Sequence, residues 1–194
     1  VIDNQAPIPT DCPPNITVNA NIAPGCSYKK PNSATCIVDA NIPANQWCGT
    51  VNFIGNCGGP VSVSNLGSLT QTYALGTNPP IVITRTDASG NVGTCSFTIT
   101  VVDQTAPTAI CKPVEVSLDG SGNGTAFAQN NDAIPTNDVN NGSSDNCYLD
   151  LLYSISVNSG AFAASKNFTC ADIGGTFSVV LKVAEDGGAL SSTS

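Results

Sequence analysis

A short phrase occurs twice in this chain, about a hundred residues apart. Asp3-Asn-Gln-Ala-Pro7 returns as Asp103-Gln-Thr-Ala-Pro107. Each copy is followed by a cysteine, Cys12 or Cys111, and then by a segment in which apolar and polar residues alternate. An internal repeat of this kind indicates a tandem of two similar structural units. The repeat therefore predicts the domain organisation before any single residue is interpreted.

The second copy of the phrase marks the predicted domain boundary. We predict a first domain over residues 1–103 and a second over 104–194, each of a size usual for a small β domain. Hydrophobic residues make up 41% of the chain, which is enough for packed cores. Charged residues make up only 10%, so the polar surface depends on Asn, Thr, Ser and Gly, which favour turns and strands over helices.

Short alternating segments separated by turn residues predict an all-β fold made of β-sandwiches. The predicted strands are 15–19, 51–54, 61–64, 69–73, 81–86 and 96–102 in the first domain, and 114–118, 125–129, 149–155, 177–184 and a strand beginning at 190 in the second. The segment 28–48 lacks clean alternation and contains Cys36 and Cys48. We interpret it as an insertion that its own disulfide holds in place.

Charge and composition argue against several function classes. The net charge is −8, whereas nucleic acids and anionic membranes both need a cluster of Lys and Arg. No apolar run approaches the roughly 20 residues of a membrane-spanning helix. The sequence has no His and so no conventional Ser-His or Cys-His catalytic pair. We expect a protein that is not an enzyme, requires no cofactor, binds no nucleic acid and does not insert into membranes.

Several motifs of the first domain resemble the HYR (hyalin repeat) module. They are the opening Asp-x-x-Ala-Pro, then Cys12-Pro-Pro-Asn-Ile-Thr-Val18, Asn56-Cys-Gly-Gly59, Thr86-Asp-Ala-Ser-Gly-Asn91 and Thr94-Cys-Ser-Phe-Thr-Ile-Thr-Val101. The second domain resembles a related repeat of large Bacteroidetes-type surface proteins through Leu118-Asp-Gly-Ser-Gly-Asn123, Asn141-Gly-Ser-Ser-Asp-Asn-Cys147 and Phe168-Thr-Cys170. The resemblance implies two tandem immunoglobulin-like β-sandwiches, a role in cell adhesion or in stalks that display other domains, and no catalytic activity.

Nine cysteines without a close pair are typical of disulfides rather than of zinc fingers or redox motifs. Disulfides persist in oxidising compartments, so we expect an extracellular or cell-surface location.

The repeat spacing suggests a pairing scheme for these cysteines. Cys12 and Cys111 are 99 residues apart, and the same spacing carries Cys95 to position 194, which is Ser. If Cys12 pairs with Cys95, then Cys111 is unpaired in this sequence and the last strand of the second domain is incomplete. The expected bonds are Cys12–Cys95, Cys26–Cys57, Cys36–Cys48 and Cys147–Cys170. Other connectivities stay open, and a reactive free thiol at Cys111 is the alternative interpretation.

One loop of the second domain gathers oxygen ligands. Asp138, Asn140 and Asp145 lie in a short polar segment, and Ca²⁺ takes six to eight hard oxygen ligands from such residues. The same residue types also form solvated turns, so the loop predicts either a calcium site or a turn. The Asp119–Gly124 segment imitates a calcium loop but lacks the distal Glu, and we interpret it as a hairpin turn.

Trp47 has two interpretations as well. An exposed tryptophan beside Cys48 would stack on a sugar, whereas a lone tryptophan more often packs against a disulfide in a core.

The sequence supports three hypotheses about function. The first is a non-catalytic stalk segment of a large extracellular adhesin or surface fibre. The second is a self-assembling filament subunit whose incomplete last strand is supplied by a neighbour. The third is a module that binds surface glycans or another surface. The expected partners are neighbouring modules of the same or an identical chain, together with glycans or cell-surface receptors.

Overall fold

The structure is a computed structural model, and it describes residues 2–22, 26–55, 59–129, 137–147, 150–186 and 190–194. These residues form mainly β-strands and connecting turns, so the predicted all-β fold is confirmed. The chain divides into two compact units, unit 1 (Val1–Gln104) and unit 2 (Thr105–Ser194). This division lies one residue from the boundary that the repeated phrase predicts.

Unit 1 consists of several small sheets. Its strands are β1 (Ile8–Pro9), β2 (Ile16–Asn19), β3 (Ser27–Lys29), β4 (Ile37–Val38), β5 (Gln46–Trp47), β6 (Thr50–Gly55), β7 (Gly59–Ser64), β8 (Thr72–Ala74), β9 (Gly76–Thr77), β10 (Ile81–Thr86), β11 (Val92–Phe97) and β12 (Ile99–Val102). The helix α1 (Leu66–Thr70) lies between β7 and β8. The strand orders are β1-β6-β7 and β2-β12-β9, and β3-β8, β4-β5 and β10-β11 form pairs.

Alternating residues place one face of each strand in the core of unit 1. Along β10, Ile81 and Ile83 are buried, whereas Val82 and Thr84 are exposed. Because successive side chains of a strand point to opposite faces, this pattern buries one face only. The buried cluster contains Ile16, Val18, Ile37, Trp47, Val51, Phe53, Leu69, Tyr73, Ile81, Ile83, Cys95, Phe97, Ile99 and Val101.

The strand β12 lies in the middle of its sheet. It is the last strand of unit 1, and its hydrogen bonds to β2 bring the C-terminal part of the unit beside the N-terminal part. It pairs in parallel with β2, with Ile99 opposite Ile16 and Val101 opposite Val18, and antiparallel with β9. Ile99 is completely buried and Val101 is 1% exposed. The last strand of the unit therefore fills a position beside its first long strand.

The opening phrase of unit 1 packs against the hairpin between β10 and β11. The side-chain amide of Asn91 donates a hydrogen bond of 3.0 Å to the carbonyl of Asp3. Pro7 is buried, and a Cβ atom built on Gly93 of β11 would lie 1.9 Å from its carbonyl oxygen. The phrase and the hairpin therefore form one interlocked feature, in which only glycine fits at position 93.

The inserted segment contributes to the core. The strands β4 and β5 pair with Ile37 opposite Trp47, and both side chains are buried in the main cluster of unit 1. The side chain of Trp47 meets that of Phe97 edge-on, with ring centroids 5.1 Å apart. The insertion thus covers one part of the sandwich interior.

Unit 2 has fewer paired strands in its described residues. They are β13 (Asn123–Phe127), β14 (Leu151–Val157), β15 (Ser165–Thr169), β16 (Val179–Glu185) and β17 (Ser191–Thr193). The strands β13 and β15 pair with each other, and the second sheet has the order β14-β16-β17. The core consists of Ala126, Ala128, Val139, Ile155, Phe168, Leu181 and Val183.

Three predicted strands are wrong. The predicted strand 96–102 is interrupted at Thr98 and is divided between β11 and β12, which lie in different sheets. Residues 69–73 were expected to be extended, but Thr70 ends α1 and only Thr72 begins a strand. Leu69 and Tyr73 are four residues apart, a spacing that suits a helix as well as a strand, and both are buried. Residues 114–118 alternate in burial but form no strand.

The α1 helix has five residues, and no described helix is long and apolar enough to cross a membrane.

We expect Gly93→Ala to destabilise the protein by about 3 kcal/mol, because the added methyl group meets a backbone carbonyl that is fixed inside the fold. Gly55→Ala is the matched control, since it also lies in a strand and a Cβ built there has no atom within 4 Å. Urea unfolding of both variants measures the difference. Equal stability of the two variants would contradict the packing of Pro7 on β11.

Candidate functional site

Two predicted disulfides and the predicted free thiol are present. Cys12 is bonded to Cys95, and Cys36 is bonded to Cys48. Cys111 is a free cysteine. The Cys12–Cys95 bond joins the segment before β2 to β11, over a sequence separation of 83.

The predicted Cys147–Cys170 bond is wrong. Cys170 is a free, exposed cysteine, whereas Cys147 is disulfide-bonded. Phe168 points into the core from β15, and Cys170 follows in a short 3-10 turn with its Sγ 3.8 Å from the carbonyl oxygen of Gly122. This turn keeps the thiol on the surface. Cys26 is also disulfide-bonded, but the predicted Cys26–Cys57 bond involves Cys57, which lies outside the described residues.

Cys111 lies next to Ser194. The hydroxyl of Ser194 is 3.3 Å from the Cys111 thiol, and the two residues have the same separation of 83 as Cys12 and Cys95. Ser194 exchanges two backbone hydrogen bonds of 2.9 Å with Leu181, and Cys95 similarly lies opposite Ile83. Position 194 therefore occupies the place in unit 2 that Cys95 occupies in unit 1.

Two aspartates organise turns of the same design. The turn at Asp87 joins β10 to β11 in a hairpin, whereas the turn at Asp119 precedes β13 and follows residues that form no strand, so the predicted hairpin there is wrong. The Asp87 carboxylate accepts hydrogen bonds from the amides of Ser89 and Asn91, and that of Asp119 accepts them from Ser121 and Asn123. The Asn91 side chain is the largest cause of the lowered pKa of Asp87, and the Asn123 amide is the largest cause of the lowered pKa of Asp119. The interpretation of the Asp119 loop as a turn is therefore confirmed.

Two of the proposed calcium ligands, Asn140 and Asp145, have hydrogen bonds inside unit 2. The Asn140 side chain accepts a bond from the Ser143 amide and donates one to Gln129, and Asp145 accepts one from the Cys147 amide. Asp138 lies in a bridge with Phe127. Hydrogen bonding of this kind is how polar turns are held, and calcium binding by this loop stays a prediction.

Trp47 is not available to a ligand in this structure. Its side chain is 1% exposed, and its ring contacts Phe97 inside the core. Its indole N–H is buried without a hydrogen-bond partner among the described residues. Trp47 is therefore a core residue that packs against Phe97, and stacking of this side chain on a sugar is not supported. Its packing against a disulfide stays a prediction.

Sequence reasoning missed Asp39, a buried carboxylate of unit 1 that accepts three backbone hydrogen bonds. It is 5% exposed and accepts hydrogen bonds from the amides of Thr17 at 2.6 Å and of Asn41 and Ile42 at 2.8 Å. The bond from Thr17 is the largest cause of its lowered pKa. Asp39 thereby attaches the insertion to β2. The Asp39-Ala-Asn41 sequence is a local turn signal, but the partner on β2 has no local signal.

These polar groups therefore hold backbone in place. Asp39, Asp87 and Asp119 each accept several amide hydrogen bonds, as a structural carboxylate does.

Comparisons of the chain with known protein families, with curated proteins and with solved structures each return no match.

We expect Asp39→Asn to lower the free energy of unfolding by about 2 kcal/mol at pH 7, since hydrogen bonds to a charged acceptor are replaced by weaker ones. The folded-state pKa of Asp39 is lowered, so its contribution is present above its unfolded pKa of about 3.9 and is lost as the pH falls through the folded value. The difference between wild type and variant should therefore shrink in acid. Urea unfolding at neutral and acidic pH measures it. The exposed Asp150→Asn serves as the control, and an equal loss at both pH values would contradict the assignment.

We expect Ser194→Cys to form a disulfide with Cys111 and to stabilise the protein by about 3 kcal/mol under oxidising conditions, because the bond closes a long loop in the unfolded chain. Mass spectrometry identifies the bond, and thermal unfolding with and without reductant measures the gain. The gain should vanish in the double variant Ser194→Cys, Cys111→Ala. Absence of the bond in air-oxidised protein would contradict the equivalence of positions 194 and 95.

Proposed function

We propose that this chain is a non-catalytic structural segment of an extracellular stalk, built from tandem immunoglobulin-like sandwiches of the HYR type. Its work is mechanical: it holds other domains away from the surface to which the stalk is attached. The disulfides formed by the described residues suit an oxidising, extracellular setting. The observation that carries the proposal is the Cys12–Cys95 bond and its place in the path of force.

In a stalk, tension enters each unit at one end of the chain and leaves at the other. In unit 1 the tension reaches Cys12, crosses the disulfide to Cys95, and leaves through β11 and β12. The residues between the two cysteines lie outside this path. A covalent bond at this position therefore limits how far unit 1 can extend even when its sheets open.

The pairing of β12 with β2 adds a second mechanical feature. The two strands are parallel, with Ile99 opposite Ile16 and Val102 opposite Asn19. The chain enters β2 at Ile16 and leaves β12 at Val102, which lie at opposite ends of this ladder. While the Cys12–Cys95 bond is intact, β2 lies outside the path of force. Once that bond is reduced, pulling these points apart loads all the hydrogen bonds of the ladder together, whereas an unzipping geometry would load them one at a time.

The polar residues support the same interpretation. A ligand-binding site aims unpaired polar groups at a pocket, whereas Asp39, Asp87 and Asp119 direct their oxygens at backbone amides of turns. Such bonds hold the connections between strands in single conformations. This use of side chains suits a rigid spacer.

We expect single-molecule stretching of the intact chain to show a disulfide-limited extension. Without reductant, at least ~28 nm of the contour length should not be released on stretching. The disulfide bridges the 83-residue separation of Cys12 and Cys95, and each residue spans about 3.4 Å when extended. Reductant should release this length. Full extension without reductant, or unfolding of the reduced unit 1 at forces no higher than those of a simple hairpin, would contradict the stalk proposal.

A further inference from the structure

Asparagine is followed directly by glycine at two places in unit 2. The pairs are Asn123-Gly124 and Asn141-Gly142, and the next residues are also alike, Thr125 and Ser143. Asparagine is a thermally labile residue, because the backbone nitrogen that follows it can attack its side-chain amide. A glycine at that position has no side chain to hinder the attack and leaves the backbone free to rotate. Since the two sites have nearly the same local sequence, a difference between them comes from the fold.

The Asn141-Gly142 pair forms the tip of an exposed turn. The Ser143 amide donates a hydrogen bond of 3.0 Å to the side-chain oxygen of Asn140, which closes the turn around the pair. Asn141 and Gly142 are both exposed. A Cβ atom built on Gly142 has no atom within 4 Å, and the Gly142 amide makes no hydrogen bond to any described residue. The attacking nitrogen is therefore unhindered and unbonded in the folded protein.

The Asn123-Gly124 pair is enclosed in a strand. Gly124 pairs with Phe168 in the ladder between β13 and β15. A Cβ atom built on Gly124 would lie 2.7 Å from the side chain of Val116, so the backbone is packed on that side. The side-chain amide of Asn123 donates a hydrogen bond of 3.3 Å to the carbonyl of Ser121. Attack at this site requires the ladder to open first, and local opening of a packed strand costs free energy.

We propose that Asn141 is a site of deamidation in the folded protein and that the fold protects Asn123. The amide nitrogen of Gly142 bonds to Cγ of Asn141, and the side-chain nitrogen leaves as ammonia with the proton of the Gly142 amide. The product is a cyclic imide. Water then adds to either carbonyl of the imide and opens it to aspartate or to isoaspartate. Water is the sole co-reactant, and the reaction involves no oxidation or reduction.

The turn that contains Asn141 anchors a neighbouring segment, residues 108–112. Thr108 and Ser144 exchange two backbone hydrogen bonds, and the Asn141 amide donates one of 2.8 Å to the carbonyl of Ile110. Isoaspartate continues the chain through its side-chain carboxyl group, so it inserts an extra carbon atom between these bonds. Deamidation therefore loosens the anchoring of residues 108–112. The extent of this change increases with the age of the protein, so the turn acts as a timer.

The test compares the two asparagines in one sample of the folded 194-residue chain. The chain is kept in neutral buffer well below its unfolding temperature, and peptide mapping by mass spectrometry follows the replacement of NH2 by OH at each site. We expect conversion of Asn141 to be at least about tenfold faster than that of Asn123, a ratio that a small cost of local opening produces. Enzymatic methylation, which is specific for isoaspartate, distinguishes the two products.

The same chain unfolded in guanidinium chloride is the control. The two Asn-Gly sequences are matched, so Asn123 and Asn141 should convert at similar rates once the fold is removed. Equal rates in the folded chain would overturn the proposal, because the fold would then give no selection. Conversion of Asn141 only after unfolding would also overturn it, because the turn would then protect the site.

The structural consequence is measured on the separated products. Each deamidated molecule has one more negative charge, so anion exchange separates it from the unconverted chain. Hydrogen exchange at residues 108–112 should be faster in the isoaspartate fraction. The variant Asn141→Asp adds the charge without the extra carbon atom, and it should exchange as the unconverted chain does. Unchanged exchange in the isoaspartate fraction would overturn the loosening of this segment. None of these outcomes depends on the stalk proposal, which rests on the Cys12–Cys95 bond.

Discussion

Unit 1 depends on the position of β12 beside β2. Ile99 and Val101 are the most interior residues of that strand, and they separate the core from solvent along the edge that β2 would otherwise expose. The pairing brings together residues about 80 positions apart in the chain, so it joins the beginning of unit 1 to its end. The Cys12–Cys95 bond makes the same closure covalent, because it joins the segments that lead into these two strands.

Unit 2 shows what this closure contributes. The residues that follow Cys111 have the alternation of a strand, yet without a partner they stay half-buried and unpaired in the described structure. Ile16 and Val18 in unit 1 have the same character, and they are buried completely or almost completely. The two segments therefore differ in burial, and in unit 1 the strand β12 lies alongside the buried residues of β2.

The polar residues of both units have a common role. Short loops dominated by Asp, Asn, Ser and Gly are hydrogen-bonded to their own backbone, so few charged groups are needed to hold the connections. This explains how a chain with only 10% charged residues maintains an ordered surface. It also explains why Asp119, which imitates part of a calcium loop in the sequence, acts as a turn residue.

The sequence by itself determined the features that depend on local pattern and on spacing. Alternation and turn residues predicted β10 to the residue, and the repeat spacing, taken together with the expected Cys12–Cys95 bond, predicted the free Cys111. Tertiary structure decided what depends on distant partners. The Asp39 carboxylate accepts a hydrogen bond from Thr17 on another strand, the turn after β15 keeps Cys170 on the surface, and residues 114–118 pack against the core without forming a strand. A strand pattern states which face a segment can bury, but its hydrogen bonds exist only when another segment lies alongside.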